Sequence, residues 1–122
     1  MERIDEFTLG GKNFIYIDLS NIKNNNIFID ITNNIKKLIT KYSEHSVYTI
    51  TNIDGIIFDT ETKDIAVTCF MHTKPYVKYG VIIGFDGIKK IMANAVFKLS
   101  GRKNMHFCFS KEEAIAWLLQ QE

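Results

Sequence analysis

The chain has 122 residues, of which 46% are hydrophobic and 24% are charged, as is typical of one folded domain. These values exclude a disordered tail, a collagen-like fibre and a miniprotein held together by disulfides. No run of 18 apolar residues occurs, and the opening MERIDEFTLGG lacks the continuous apolar core of a signal peptide. Because Cys69 and Cys108 both lie in apolar segments, we expect reduced thiols and a cytoplasmic location.

The formal net charge of +1 conceals an uneven distribution. Residues 74–103 contain seven basic side chains and a single acid, Asp86, whereas the remainder of the chain is acidic. A basic region of this kind can attract an anionic partner. Lysines on the outer faces of helices give the same composition, and we favour that explanation for most of these residues.

The first half of the chain predicts a hairpin, a helix and a strand. Residues 3–8 and 14–17 suit strands, and Gly10-Gly11 between them is a turn signal, which together indicate an antiparallel hairpin. After a polar break, apolar residues recur at helical spacing over residues 27–42. Residues 47–51 then predict the next strand.

The second half alternates helices and strands. We expect helices over residues 60–72 and 88–99, a strand over 76–83 and another over 105–109. The predicted caps are Asp59 or Thr60 for the first helix, Asp86 for the second, and Ser110 with Glu113 for a final helix; Pro75 and Gly101 are stop signals. In the 88–99 helix, the expected buried stripe consists of Ile88, Ile91, Met92, Ala95, Val96 and Leu99.

The order of elements is therefore ββαβαβαβα, an α/β fold. Alternating strands and helices predict a mostly parallel sheet with helices packed on it, preceded by the antiparallel hairpin. With no linker, repeat or low-complexity segment, we interpret residues 1–122 as a single domain. Phe85, Phe97 and Trp117 are candidate core residues, and exposure of any of them would indicate a homodimer surface.

Metal binding is the first chemistry to consider. Cys69 and His72 are three apart on a helix, and His106 and Cys108 are two apart on a strand, so each pair shares a face and the four could in principle hold zinc. Cys69, however, continues the apolar stripe begun by Ile65. We therefore interpret both cysteines as core residues and expect neither metal nor cofactor.

No catalytic motif is present, and we expect a protein that is not an enzyme. The Gly84–Gly87 turn stands where a phosphate-binding turn would stand, but it lacks G-x-G-x-x-G spacing and contains Asp86. The acidic pairs Asp59/Glu61 and Glu112/Glu113 lie at helix starts, where the dipole favours them for structural reasons. Tyr76 and Tyr79 alternate with Lys74 and Lys78 in a way that could stack bases, but without an RNA-binding motif, and nucleic acid is not the expected partner.

Four segments of the C-terminal half form a recognisable block. They are PYVKYGVIIG (75–84), GIKK (87–90), SGRKN (100–104) and FSKEEAIAWL (109–118). This block resembles a family of small bacterial proteins grouped with STAS-like (anti-sigma-factor antagonist) and CRAL–TRIO-like domains. The resemblance implies a parallel sheet covered by helices, in agreement with the order derived above.

STAS domains bind partner proteins, and phosphorylation of a Ser or Thr at a helix start breaks that contact. By this resemblance, the matching positions are Thr60 and Thr62, which form a candidate switch or partner surface. The Asp-Ser-Ser/Thr-Gly signature of phosphorylated members is absent, and a simple helix cap is the alternative.

CRAL–TRIO relatives enclose a lipid, but 122 residues leave little room for a large pocket beside a packed core. A shallower groove for an acyl chain or a small anion is the corresponding hypothesis. Its rim would be formed by Lys74, Lys78, Tyr79, Gly84, Gly87, Lys89 and Lys90. The leading interpretation is thus a non-enzymatic module that binds a partner protein, and the alternative is a carrier or sensor of a small hydrophobic or anionic ligand.

Overall fold

A computed structural model describes residues 3–122. The elements follow the order ββαβαβαβα, which confirms the prediction. They are β1 (Ile4–Leu9), β2 (Lys12–Asp18), α1 (Asn25–Ile39), β3 (Val47–Asn52), α2 (Thr60–Thr73), β4 (Val77–Ile83), α3 (Gly87–Ser100), β5 (Met105–Phe107) and α4 (Lys111–Leu119).

The five strands form one sheet in the order β1-β2-β3-β4-β5. The β1–β2 pair is antiparallel, with Ile4 opposite Ile17, and every later pair is parallel. Consecutive parallel strands need a crossover helix between them, and α1, α2 and α3 supply the three crossovers. The predicted mostly parallel sheet with an antiparallel N-terminal hairpin is confirmed.

The sheet separates two hydrophobic clusters. Buried side chains of α1, α2 and α3 pack on one face of the sheet, together with Ile17, Val77 and Ile82. The other face packs against α4 through Ala114 and Leu118. Within β4, Val81 and Ile83 join the α4 side while Ile82 joins the opposite side, which confirms that this segment is covered on both faces.

The predicted buried stripe of α3 is wrong in most of its members. Ile88, Ile91 and Leu99 are 68%, 71% and 59% exposed, and Ala95 is exposed as well. The residues that α3 buries are Ala93, Val96, Phe97 and Ser100. Because α3 is apolar over most of its circumference, its periodicity fits two faces, and the face that contains Phe97 packs on the sheet.

The predicted caps are confirmed by their hydrogen bonds. Asp59 accepts from the Thr62 N–H at 2.8 Å, Asp86 from the Lys89 N–H at 2.8 Å, and Ser110 from the Glu113 N–H at 3.0 Å. Gly101 ends α3 with a positive φ of 73°. Most boundaries differ from the prediction by one or two residues, and the largest difference is at the end of α1, which stops at Ile39 rather than at residue 42.

Candidate functional site

The start of α2 holds the two candidate switch residues in different environments. Thr60 is exposed, whereas Thr62 is only 2% exposed. The Thr62 hydroxyl oxygen lies 2.7 Å from Asn25 Oδ1 and 2.8 Å from Asp59 Oδ1. Hydrogen bonds from the Thr62 backbone and side chain lower the pKa of Asp59 below its usual value. Of the two hydroxyls, Thr60 is therefore the one presented to solvent.

The residues around Thr60 are acidic and polar. Asp59 and Glu61 are its neighbours in sequence, and Asn25 Nδ2 donates to Glu61 Oε1 at 2.8 Å. A phosphate on Thr60 would benefit from the positive end of α2 but would be repelled by both carboxylates. The switch hypothesis stays a prediction.

The residues predicted to form one ligand rim lie at opposite ends of β4. Lys74 and Lys78 lie at the start of this strand, whereas Gly84, Gly87 and the two lysines Lys89 and Lys90 follow its end. Seven residues of strand span about 20 Å. The structure therefore does not bring these residues together around one groove.

Local contacts occupy the groups of the Gly84–Lys90 turn. Asp86 caps α3, and the hydrogen bond from the Lys89 N–H lowers the pKa of its carboxyl. Lys89 Nζ lies 3.4 Å from Asp86 Oδ2, and Lys90 Nζ lies over the rings of Phe85 and Phe107 at 5.7 and 5.1 Å. The N–H groups of this helix start are thus engaged by Asp86 rather than directed at a ligand.

Tyr79 belongs to a row of aromatic rings on the α4 side of the sheet. One ring from each of the first four strands takes part, with centroid distances of 5.1, 5.9 and 6.4 Å along Phe7, Phe14, Tyr48 and Tyr79. Trp117 on α4 packs against Tyr79 and stacks on His106 of β5. Tyr76 packs with the cluster on the other face, so the two tyrosines do not form one base-stacking surface.

The potential zinc ligands are also divided by the sheet. Cys69 is buried in the cluster beneath α1–α3, whereas Cys108 is buried in the cluster beneath α4. Burial raises the pKa of Cys69 to about 11. No group of three or more His, Cys, Asp or Glu side chains in residues 3–122 has the arrangement of a metal site.

A cavity of about 80 Å³ lies between the sheet and the helices α1, α2 and α3. Its wall is mainly aliphatic and aromatic, and it also contains the side chains of Thr49, Thr51, Thr62, Thr73 and Arg102. The predicted ligand site was a shallow groove at the surface, and no sequence pattern indicated this space between the sheet and the helices. Thr62 lines one end of the cavity, and Arg102 and Thr73 lie toward the other end of α2.

Arg102, one of the seven basic residues between positions 74 and 103, is only 6% exposed. Its Nη1 donates to the Phe70 carbonyl and to Thr73 Oγ1, both at 3.2 Å. Burial lowers the pKa of Arg102 to about 10. Nothing in the sequence distinguishes this residue from its exposed neighbour Lys103, because its burial depends on how α2 and β5 meet.

The second feature that the sequence analysis missed is an exposed apolar surface on α3. We call Ile88, Ile91, Ala95 and Leu99 the α3 stripe, since their helical spacing places them on one face. The adjoining side of the helix contains three polar residues at intervals of four, which are Lys90, Asn94 and Lys98. A helix that has apolar residues on two faces is the sequence signal that could have indicated this surface.

No helix in the described part of the chain has the length and hydrophobicity needed to cross a bilayer. The sequence matches no protein-family model and no curated protein. The fold is similar to a solved structure of an anti-sigma-factor antagonist (STAS) domain protein from Planctomyces limnophilus, with a TM-score of 0.54 over 94% of this chain and 97% of that chain. Because the sequence identity is 8%, the likeness is one of architecture. The chain therefore has a STAS-like α/β fold, which confirms the resemblance at the level of fold.

Proposed function

We propose that the protein is a non-catalytic interaction module that binds a partner protein through the α3 stripe. The observation that supports this proposal is the exposure of three large aliphatic side chains, Ile88, Ile91 and Leu99, on one helix face. Scattered apolar residues are ordinary on a surface, but a contiguous apolar face is typical of an interaction site. Shielding these side chains from water would favour binding.

The charge beside the stripe indicates the chemistry of the partner. Lys90 and Lys98 are exposed along the adjoining side of α3, and Lys103 is exposed beyond its end. These lysines would steer an acidic partner toward the stripe and speed association. The surface thus suits a segment that has an apolar face bordered by Asp or Glu side chains.

A second copy of this chain is a less suitable occupant. In a two-fold symmetric dimer, the same patch from each copy meets itself. The lysines of the two copies would then approach one another, and like charges across an interface oppose binding. We therefore favour a different protein as the partner over a homodimer.

Affinity capture from the source cells tests the proposal. The bait would be the wild-type protein or an Ile88→Ser/Ile91→Ser variant, and the matched control would be Ile57→Ser, which changes an exposed isoleucine outside α3. We expect a partner that the wild type and Ile57→Ser retain and the double variant loses. With the purified partner, we expect the double variant to bind at least about tenfold more weakly, a change of about 1.4 kcal/mol.

Two results would contradict the proposal. One is equal binding of the partner by the wild type and the double variant. The other is self-association in analytical ultracentrifugation that the double variant abolishes, because a second copy would then occupy the stripe. The cytoplasmic location and the switch at Thr60 belong to the same proposal, and variants of Thr60 test the switch separately.

A further inference from the structure

The internal cavity has one feature that an ordinary core lacks, which is a buried cation in its wall. Most of the cavity is lined by apolar side chains from α1, α2, α3 and the sheet, and Arg102 lines it as well. A buried charge is unfavourable unless it is paired and hydrogen-bonded. The partners of Arg102 therefore decide whether its burial is fully explained by the fold.

Hydrogen bonds within the fold satisfy some of the N–H donors of the guanidinium. Nη1 is bound to the end of α2 through Phe70 O and Thr73 Oγ1, and Nε donates to Asn104 Oδ1 at 3.2 Å. Nη2, by contrast, donates only to the thioether of Met105, at 3.3 Å, and a thioether sulfur is a weak acceptor. The guanidinium also lies over the Phe70 ring, 5.2 Å from its centroid, which compensates part of the charge. The fold thus leaves one nitrogen of the fork without a strong partner.

No carboxylate balances this charge within residues 3–122. The ion pairs found there are Lys63 with Asp64 and Lys89 with Asp86, both on other parts of the surface. Although burial lowers the pKa of Arg102 to about 10, the guanidinium remains protonated at neutral pH. The cavity wall accordingly contains a positive charge that lacks an anion.

Gly80 lets two side chains of the cavity wall pack directly against β4. A Cβ at Gly80 would lie 2.7 Å from Met105 Sδ and 2.7 Å from Thr49 Oγ1, so Met105 and Thr49 are close neighbours at this point. Thr49 and Thr51 line the cavity, and the structure shows no hydrogen bond from either hydroxyl within residues 3–122. These two hydroxyls of the cavity wall are therefore available to an oxygen-containing ligand.

We propose that this cavity binds a short-chain aliphatic carboxylate, with the carboxylate on Arg102 Nη2 and the hydrocarbon end among the apolar side chains. Charge-assisted hydrogen bonds between guanidinium and carboxylate are stronger than neutral ones. A cavity of about 80 Å³ is roughly half of one that accommodates benzene. The size suits a carboxylate of about two or three carbons, and butyrate, which has as many non-hydrogen atoms as benzene, enters only when the flexible Met105 side chain moves. This site is separate from the α3 stripe, and neither proposal depends on the other.

Titration of the purified protein with butyrate, followed by NMR of side-chain methyl groups, tests the proposal. Butyramide has nearly the same shape without the charge and is the matched ligand control. We expect butyrate to shift the methyl signals of Ile17, Ile35 and Ile82, which line the cavity, and to bind at least about tenfold more tightly than butyramide. Equal affinity for the two ligands, or shifts confined to exposed residues, would overturn the proposal.

A series of carboxylates from acetate to octanoate tests the size of the site. We expect the tightest binding at two to four carbons, because longer chains exceed the cavity. A steady increase in affinity through octanoate would contradict a short internal site and would indicate a surface groove instead.

Two variants test the residues themselves. Arg102→Gln is expected to lose butyrate binding, whereas Lys103→Gln, which removes the neighbouring exposed charge, is expected to retain it. Because Arg102 also joins α2 to β5, Arg102→Gln could fail to fold. Ala66→Leu provides an independent test, since Ala66 lines the cavity and a leucine would fill it. Retention of butyrate affinity by a folded Ala66→Leu protein would count against the proposed site.

Discussion

Asp59 Oδ1 lies 2.8 Å from the backbone nitrogen of Thr62 and 2.8 Å from its hydroxyl oxygen. One carboxylate oxygen thus lies within hydrogen-bonding distance of both donors that Thr62 can offer. The hydroxyl has a single proton, and Asn25 Oδ1 lies 2.7 Å away as a competing acceptor. This arrangement joins the start of α2 to the start of α1, and it depends on an ionised Asp59.

The stability contributed by Asp59 should therefore decrease in acid. Its pKa in the folded state lies below the usual value of 3.8, so its contribution is complete above the unfolded-state pKa and is lost as the pH falls through the folded-state pKa. We expect Asp59→Asn to be less stable than the wild type near neutral pH, with a smaller difference at about pH 2. Urea unfolding at both pH values measures it.

The matched control is Asp64→Asn, because the Asp64 carboxylate is also on α2 but pairs with Lys63 at 3.6 Å. We expect this control to have little effect at either pH, as is usual for exposed pairs. A destabilisation by Asp59→Asn that persisted unchanged in acid would mean that the side chain acts without its charge.

Local sequence signals were sufficient to predict the order of elements and the caps. Asp59, Asp86 and Ser110 each act on an N–H three residues ahead, so their role depends only on nearby chain. The alternation of strands and helices likewise fixes a parallel sheet with few alternatives. The fold class could therefore be obtained from the sequence.

The candidate sites could not be predicted in this way, because they depend on tertiary packing. Ile91 and Phe97 are both apolar residues of α3, and the position of α3 against α2 and β5 decides which is buried. Arg102 and Lys103 are adjacent basic residues, and only contact with the end of α2 distinguishes them. Spacing along the chain contains neither piece of information.

Two residues of α3 test which of its faces is buried. Phe97 packs against Phe70 and Phe107 with centroid distances of 5.5 and 5.9 Å, so Phe97→Ala should lower the free energy of unfolding by about 3–5 kcal/mol. Leu99 is largely exposed, and Leu99→Ala should change it by no more than about 0.5 kcal/mol. Urea denaturation measures both. A similar cost for the two variants would contradict the position of α3.

Gly84 and Gly87 are predicted to respond in opposite directions to alanine. Gly84 has a φ of 76°, and a Cβ there would lie 2.3 Å from Asn52 Oδ1 and 2.7 Å from Asp54 N. The left-handed conformation alone costs a residue with a Cβ about 1–2 kcal/mol, so Gly84→Ala should destabilise by at least that amount. Gly87 begins α3 with no neighbour near its Cβ position, and Gly87→Ala should stabilise by about 0.4–1 kcal/mol.

Thermal unfolding of the two glycine variants, supported by urea titration, measures this difference. Loss of stability in both variants would show that the start of α3 does not tolerate a side chain at position 87. Unchanged stability of Gly84→Ala would contradict the left-handed conformation at that position.

Thr60→Asp tests the switch hypothesis with the partner found by affinity capture. Thr60 is exposed and Asp59 supplies the cap, so the variant should fold normally, as judged by circular dichroism. The added negative charge lies beside Asp59 and Glu61 and would repel an acidic partner. We expect Thr60→Asp to lose the partner and Thr60→Ala, which adds no charge, to retain it.

Glu61→Gln provides the complementary control, because it removes a negative charge from the neighbouring exposed position. If charge at the start of α2 regulates binding, this variant should bind the partner at least as tightly as the wild type does. Unchanged capture by Thr60→Asp, together with loss of capture by the Ile88→Ser/Ile91→Ser variant, would exclude the switch at Thr60. Binding would then depend on the α3 stripe without regulation from α2.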